Sequence, residues 1–413
     1  MSDKEASNAP APGAGPSSSA GADVKYTPEV LQRLIDQAAY FNALSLSASK
    51  YGTAAIHGQG NACIGFRVEE DLHRLAITVQ PPTAEEGLKA SNAMGESFGK
   101  FKHRWLFVPD DFVGAPNREP PPTTLDPSRS QRFVMLDSVC TFGDGKNGFR
   151  GFGAGVTFPM PSNTGTQLLA ATVGTIIEGF GSFKGHQEGT YVHCGTLSAE
   201  RGFTGNFLLR VMDSQNTLRT TGSLPALRSQ TFPEPDVTYL VFRGQAVASD
   251  PVTPRLSPDG QLKGLNVVQG LRLINLISGL DDGPRSVARI GQVIGKITAH
   301  VDFNPAAPGG TALNPIPFTT FDEIDFVDNA GRSIGGFTAD SSEGRVFNIR
   351  IAGQAGIRFG GVGPVLNGTG PFQGMTGLLT DNSVVIFQPH VSASLYILRV
   401  HDPGGRFRSN VLC

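Results

Sequence analysis

The stretch Asn367-Gly368-Thr369-Gly370-Pro371-Phe372-Gln373-Gly374-Met375-Thr376-Gly377 reads as a tight turn, an aromatic anchor and the start of a strand. Its glycines accept positive φ or a close backbone approach. Phe372 is the one large apolar side chain among them, suited to plug the end of a β-barrel or sandwich. Leu378 and Leu379 continue as a strand, and Asp381-Asn382 reads as the next turn. A shorter version lies upstream, Arg201-Gly202-Phe203-Thr204-Gly205-Asn206, followed by Phe207-Leu208-Leu209-Arg210-Val211. Each follows a glycine-rich strand, over 189–197 and 349–362. The chain is therefore expected to contain two β-modules, each closing on such a turn, with a repeat period of ~165 residues that marks domain duplication rather than a short-period solenoid.

The pattern Gly-Thr-Gly-x-Phe-x-Gly-x-x-Gly at 368–377 resembles the closing turn of the allene oxide cyclase and dirigent protein barrels. The resemblance implies an antiparallel barrel of eight strands with an apolar lumen. In those families the lumen holds a hydrophobic small molecule and steers a cyclisation or coupling. Their catalytic residues lie on earlier strands, and no motif here matches them, so no catalytic residue is carried over.

Composition agrees with a β-rich chain. Charged residues are 17% and glycine fills 52 of 413 positions, against about 25% and about 7% in ordinary domains. The length allows two or three domains of ~100–200 residues. A net charge of −2 offers nothing to a polyanion, so no nucleic-acid partner is expected. No run of ~18 apolar residues suggests a membrane span. The start, Met-Ser-Asp-Lys-Glu, lacks the apolar core of a signal peptide. Cys63, Cys140, Cys194 and Cys413 share no metal-ligand spacing and read as buried thiols of a reducing, cytoplasmic compartment.

The chain divides into five segments. Residues 1–25 form an Ala/Pro/Gly/Ser tail that cannot bury enough apolar surface to order. An α+β unit spans 26–108. Thr27, Pro28 and Glu29 open its helix, and Leu31, Leu34, Ile35, Ala38, Phe41 and Leu44 recur at helical spacing. Strands are expected at 53–68 and 73–79, and a second helix from the capping box Thr83-Ala84-Glu85-Glu86, carrying Leu88, Met94, Phe98 and Phe101. A last strand covers 104–108. A Pro-rich linker covers 109–131. The first β-module spans 132–224, with strands at 133–141, 149–158, 168–178, 190–197 and 207–212. The second spans 236–413, with turn signals at strand-like spacing.

No P-loop, His-Glu-x-x-His or Gly-x-Ser-x-Gly occurs. Gly151-Phe152-Gly153-Ala154-Gly155 lacks the remaining features of a dinucleotide site and reads as a strand face stripped of side chains, so that a ring or a ligand can lie on it. The strand Thr190-Tyr191-Val192-His193-Cys194-Gly195 is the most chemically loaded. Alternation places Tyr191 and His193 on one face, Val192 and Cys194 on the other. With Glu178 on a neighbouring strand, Glu178, Tyr191 and His193 are the candidate catalytic residues, for proton transfer inside an apolar lumen. Phe152, Cys194 and Asn206 are the candidate substrate-binding residues. In the second module Arg345, Arg350 and Arg358 read as a solvated strand face, Asp322-Glu323-Ile324-Asp325 as surface, and the eight histidines form no cluster.

The expectation is a mainly β protein, two tandem antiparallel barrel-like modules behind a small α+β unit. Its function is a cofactor-independent, metal-independent isomerase, cyclase or lyase acting on a hydrophobic small molecule, of the kind used in secondary metabolism. The first module holds the working pocket, and a homo-oligomer is compatible with the sequence. The rival expectation is a non-catalytic small-molecule-binding or scaffolding protein.

Overall fold

The computed structural model describes residues 27–36, 38–47, 53–57, 62–108, 126, 128–160, 167–186, 188–198, 202–213, 218, 232–246, 252–260, 262–277, 287–288, 293–303 and 310–409. The expected tail, most of the linker at 109–131 and Cys413 lie outside the described residues. The chain opens with α1 (Pro28–Asp36) and then β1 (Ala38–Ser47), β2 (Thr53–His57), β3 (Ala62–Thr83), β4 (Gly87–Phe107), β5 (Gln131–Phe142), β6 (Asn147–Pro159), β7 (Gln167–Phe180), β8 (Thr190–Ser198) and β9 (Gly202–Met212). The second half supplies β10 (Val237–Ala246), β11 (Thr253–Leu256), β12 (Leu262–Leu273), β13 (Asn275–Ile277), β14 (Val287–Ala288), β15 (Val293–Phe303), β16 (Ile316–Val327), β17 (Ser333–Ile351), β18 (Gln354–Gly368), β19 (Gly377–Ile386) and β20 (Val391–His401).

Both halves close into antiparallel barrels of eight strands. The first runs β1-β9-β8-β7-β6-β5-β4-β3, and β3 pairs back onto β1. The second runs β10-β20-β19-β18-β17-β16-β15-β12, and β12 pairs back onto β10. Closure removes the unpaired edges that an open antiparallel sheet would expose.

The region 26–108 is not a separate unit. It supplies three walls of the first barrel, β1, β3 and β4. The helix stops at Asp36, and Phe41 and Leu44 lie on β1, paired with β9. Thr27 does cap α1, accepting from Val30 N at 3.4 Å. The second expected helix is a β-hairpin. Thr83 accepts from Glu86 N at 3.0 Å, as in a capping box, but the same bond serves a turn. The chain then reverses instead of coiling: Thr83 pairs with Gly87, whose φ is +63°. Along β4, Phe101, His103, Trp105 and Phe107 alternate inward with Lys100, Lys102, Arg104 and Leu106, a period-two pattern.

The duplicated turn also lies elsewhere than expected. Residues 202–206 fall at the start of β9. The true counterpart of 368–374 is Gly179-Phe180-Gly181-Ser182-Phe183-Lys184-Gly185, which gives a repeat of about 190 residues. In both turns a single 3-10 turn carries the phenylalanine, and its first glycine has φ +61° (Gly181) or +56° (Gly370). A Cβ at Gly179 or Gly368 would sit 1.9 Å from the carbonyl oxygen of Phe183 or Phe372, so only glycine fits. Phe183 packs on Phe41 and Phe142, with centroids 5.4 and 5.2 Å away. Phe372 packs on Phe326 at 4.9 Å.

The barrels meet along a polar and apolar seam. One hydrophobic cluster runs through both, joining Val192, Cys194 and Leu208 to Leu240, Leu378 and Leu398. Arg210 of the first barrel donates to the carbonyls of Asn382 (3.2 Å) and Ala393 (2.7 Å), and Arg358 of the second donates to those of Glu188 (2.6 Å) and Arg210 (3.0 Å). Arg358 is thus buried, and Arg345 pairs with Glu343 at 2.7 Å, so neither belongs to a solvated face. The α1 residues Leu31 and Ile35 lie against the outside of the second barrel, on Phe347, Val384 and Val391.

Each barrel has a fully buried phenylalanine at its glycine turn. Phe183→Ala and Phe372→Ala should each cost ~3–5 kcal/mol, read from denaturant midpoints. A loss under about 1 kcal/mol at either position would show that the plug does not hold that barrel closed.

Candidate functional site

Inward alternation on three strands of the first barrel brings three ionisable side chains together. Glu70 comes from β3, His103 from β4 and His193 from β8, and all three side chains are fully buried. His103 Nε2 lies 3.3 Å from Glu70 Oε1, and His193 Nε2 lies 3.2 Å from Oε2. Ser45 of β1 donates its hydroxyl to Oε2 in a short hydrogen bond. Aromatic rings pack directly on the group. Trp105 stacks on His103 at 5.8 Å and 20°, Phe101 tilts against it at 4.6 Å, and Phe203 lies 4.3 Å from His193.

Electrostatics follow from this enclosure. Burial works to raise the Glu70 pKa, but the nearby imidazoles of His193 and His103 and the hydrogen bond with His103 outweigh it and hold the carboxyl at about 2. Burial pushes His103 below its ordinary value against the pull of Glu70. The centre is thus an ionised carboxylate between two imidazoles in an aromatic lumen. His103 Nδ1 and both ring nitrogens of His193 have no hydrogen-bond partner among the described residues.

Of the residues expected from sequence, Tyr191 and His193 face this lumen. Tyr191 fills the space cleared by glycine: a Cβ at Gly174 would lie 2.0 Å from its ring, and one at Gly151 2.9 Å. The stripped strand therefore accommodates a ring of the protein itself. Glu178 is not part of the centre. A register shift at Arg150/Gly151 turns the end of β7, and Glu178 pairs on the outside with Arg150 at 3.2 Å, with 64% of its side chain exposed. Phe152 lies on the outer face, between inward Gly151 and Gly153. Cys194 points into the seam, where burial pushes its thiol up to about 12 and disfavours the thiolate. Asn206 is also buried outside the lumen, donating to Asn42 Oδ1 at 2.6 Å and to the Ala43 carbonyl.

Glu70 and His103 escape sequence reasoning for identifiable reasons. Glu69-Glu70-Asp71 resembles a charged turn between two strands, whereas β3 runs through it unbroken with only the middle residue inward. His103 sits in the alternating run Lys100-Phe101-Lys102-His103-Arg104-Trp105, a strand signal masked by the capping box upstream. Two histidines far apart in sequence do cluster.

The second barrel holds a different polar layer at the same level. Ladder registers make Gln269 the counterpart of Glu70: each lies four residues before the residue that pairs, across the closing ladder, with the equivalent position of β1 or β10. Asp381 is likewise the counterpart of His193. Gln269 donates to Ser392 and Ser394 at 3.0 and 2.8 Å and accepts from Tyr396 at 2.8 Å. Asp322, expected on the surface, is inward and buried, with Thr320 and Ser341 at 3.2 and 3.5 Å. Beyond this layer lies an apolar cup of Leu265, Val301, Phe318, Ile357 and Phe359, with only ≈ 10 Å³ of free space, about the room of one water.

No family model, curated protein or solved structure matches the chain. No helix among the described residues is long and apolar enough to cross a membrane.

Burial pushes the Asp322 carboxyl up to about 7, against its hydrogen bonds and with Asp340 adding to the rise. The folded protein therefore keeps a proton that the unfolded chain releases near pH ~3.9. That stability is complete at low pH and is lost as pH rises through about 7, at most on the order of 4 kcal/mol. Urea denaturation at pH 4.5 and 7.5 should show a smaller decline in Asp322→Asn than in the unaltered protein. Equal declines would show that Asp322 ionises without penalty.

Proposed function

We propose that the first barrel is the working module and that Glu70, His103 and His193 are its acid–base centre, acting on an apolar small molecule. The observation that carries this reading is a buried carboxylate contacted by two imidazoles from separate strands. A carboxylate so placed removes a proton from carbon or oxygen, passes it to a neighbouring imidazole across a 3.2–3.3 Å contact, and the imidazole returns it to the substrate, which is the chemistry of an isomerase, cyclase or lyase. Phe101, Trp105, Phe203 and Phe207 give the surroundings an apolar, π-rich character suited to an unsaturated or carbonyl-bearing substrate. These rings pack on the centre, so substrate admission requires them to move. The closed antiparallel barrel agrees with the architecture implied by the allene oxide cyclase and dirigent resemblance, a fold-level support only.

The close aromatic filling of the lumen favours a second reading, a pair of structural barrels without turnover. One experiment separates the two. Protein freed of metal by chelator is incubated in D₂O with a panel of apolar ketones, enones and epoxides, and deuterium incorporation is followed by mass spectrometry. Exchange into at least one panel member is expected, falling by about 10²–10⁴-fold in Glu70→Gln and staying unchanged in Glu178→Gln. Absence of exchange, or exchange indifferent to Glu70→Gln, would leave the structural reading.

A further inference from the structure

We infer that Glu70, His103 and His193 take a divalent transition-metal ion, bound by two imidazoles and a carboxylate. The inference rests on these side chains forming one centre, as in the proposed function, and not on their exchanging protons. A bound cation uses the same lone pairs, so loading would silence acid–base chemistry through the imidazoles and place that chemistry under the control of metal supply.

Three observations carry the inference. The first is convergence: one donor atom from each residue lies within 4.8 Å of the others, with all three residues buried. The second is spacing. Metal bonds of about 2.0–2.2 Å in a tetrahedral arrangement put neighbouring ligand atoms about 3.3–3.5 Å apart. The two nitrogen–oxygen separations, 3.3 Å to Oε1 and 3.2 Å to Oε2, lie near that edge length, one on each carboxylate oxygen, so both oxygens face an imidazole. The third is orphaned nitrogen. His193 Nε2 is 3.2 Å from a carboxylate oxygen yet makes no well-formed hydrogen bond among the described residues, and its Nδ1 has no partner there either. A buried polar atom left without a partner is costly, and a cation beside it and the carboxylate removes that cost.

Donor chemistry limits the ion. Imidazole nitrogen suits Zn²⁺, Co²⁺ or Fe²⁺, whereas Ca²⁺ and Mg²⁺ call for oxygen cages. Two histidines and one glutamate leave a coordination position for water or a ligand. Ser45, bonded to Glu70 Oε2, holds the carboxylate in orientation from behind. A dication also supplies the positive charge that a carboxylate sealed in an aromatic lumen otherwise draws from imidazole.

The test uses the full chain after dialysis against chelator. Titration with Co²⁺ should produce the visible d–d absorption of a low-coordinate site, saturating at one equivalent. Emission from Trp105, the single tryptophan, should be quenched in parallel, because its ring stacks on His103. Zn²⁺ should displace the colour and Mg²⁺ should not. His103→Ala and His193→Ala should each weaken Co²⁺ binding at least tenfold, with His390→Ala unchanged. Should either alanine variant fail to fold, parallel Trp105 quenching in the unaltered protein still locates the ion. A folded protein with no stoichiometric absorption, absorption without Trp105 quenching, or full affinity in folded His103→Ala and His193→Ala would overturn the inference. Deuterium exchange without metal binding would remove the metal site alone, and metal binding without exchange in the chelated protein would remove the proton-transfer role alone.

Discussion

Pairing of β1 with both β9 and β3 turns a strip of strands into a ring, and the rest of the first barrel depends on it. The ladders from Ala38↔Met212 and from Ser47↔Glu70 share one strand, so the last and an early strand become neighbours. Closure gives every inward side chain the same enclosed surroundings, cut off from water. An inward charge must then be paired or hydrogen-bonded by other inward groups, because solvent cannot do so. Glu70 meets that requirement with two imidazoles and a hydroxyl from three other strands, which only a closed ring brings within reach.

The seam between the barrels obeys the same constraint from the outside. Arg210 and Arg358 are fully buried, and their guanidinium groups donate to carbonyls of the opposite barrel. Arg399 forms a short ion pair with Glu234 and also donates to Thr196 of the first barrel at 2.6 Å. Such buried ions add little net stability over an apolar seam, yet removing one partner alone is strongly destabilising. They therefore favour one relative orientation of the barrels. The same crowding keeps Cys194 inert and explains why outward residues of β8 and β9 belong to the seam and not to the lumen.

The two halves share their closing turns and differ in their lumens. Gly179–Gly185 and Gly368–Gly374 agree in backbone angles and in the seating of the ring, because the carbonyl approach admits only glycine. One level of each barrel is polar, but the chemistry differs. Glu70 and His193 correspond to Gln269 and Asp381, so the second barrel lacks the imidazole that could balance an inward carboxylate. Burial instead pushes its carboxyl groups up: Asp381 lies well above its ordinary value, with Asp322 adding to the rise. The halves thus share an architecture while shifting their inward carboxyls in opposite directions at the same height, Glu70 down and Asp381 up.

Local sequence determined the β class, the strands of the first module from β5 to β8, the glycine–phenylalanine plug at Phe372 and the inward pairing of Tyr191 with His193. These arise from turn chemistry and period-two alternation, which act over a few residues. Tertiary structure decided the remainder. Strands β1, β3 and β4 became barrel walls because β1 found partners on both sides, and the helix ended at Asp36 although the helical spacing read from sequence ran on to Leu44. Gly179–Gly185 proved to be the second plug, recognisable only once its backbone could be set beside that of 368–374. Glu178 left the site through a register shift, and Glu70 and His103 entered it through strand pairing. Which charged residue of Glu69-Glu70-Asp71 turns inward depends on the parity of a strand and on what waits across the lumen, and a one-residue slip would have reversed the answer.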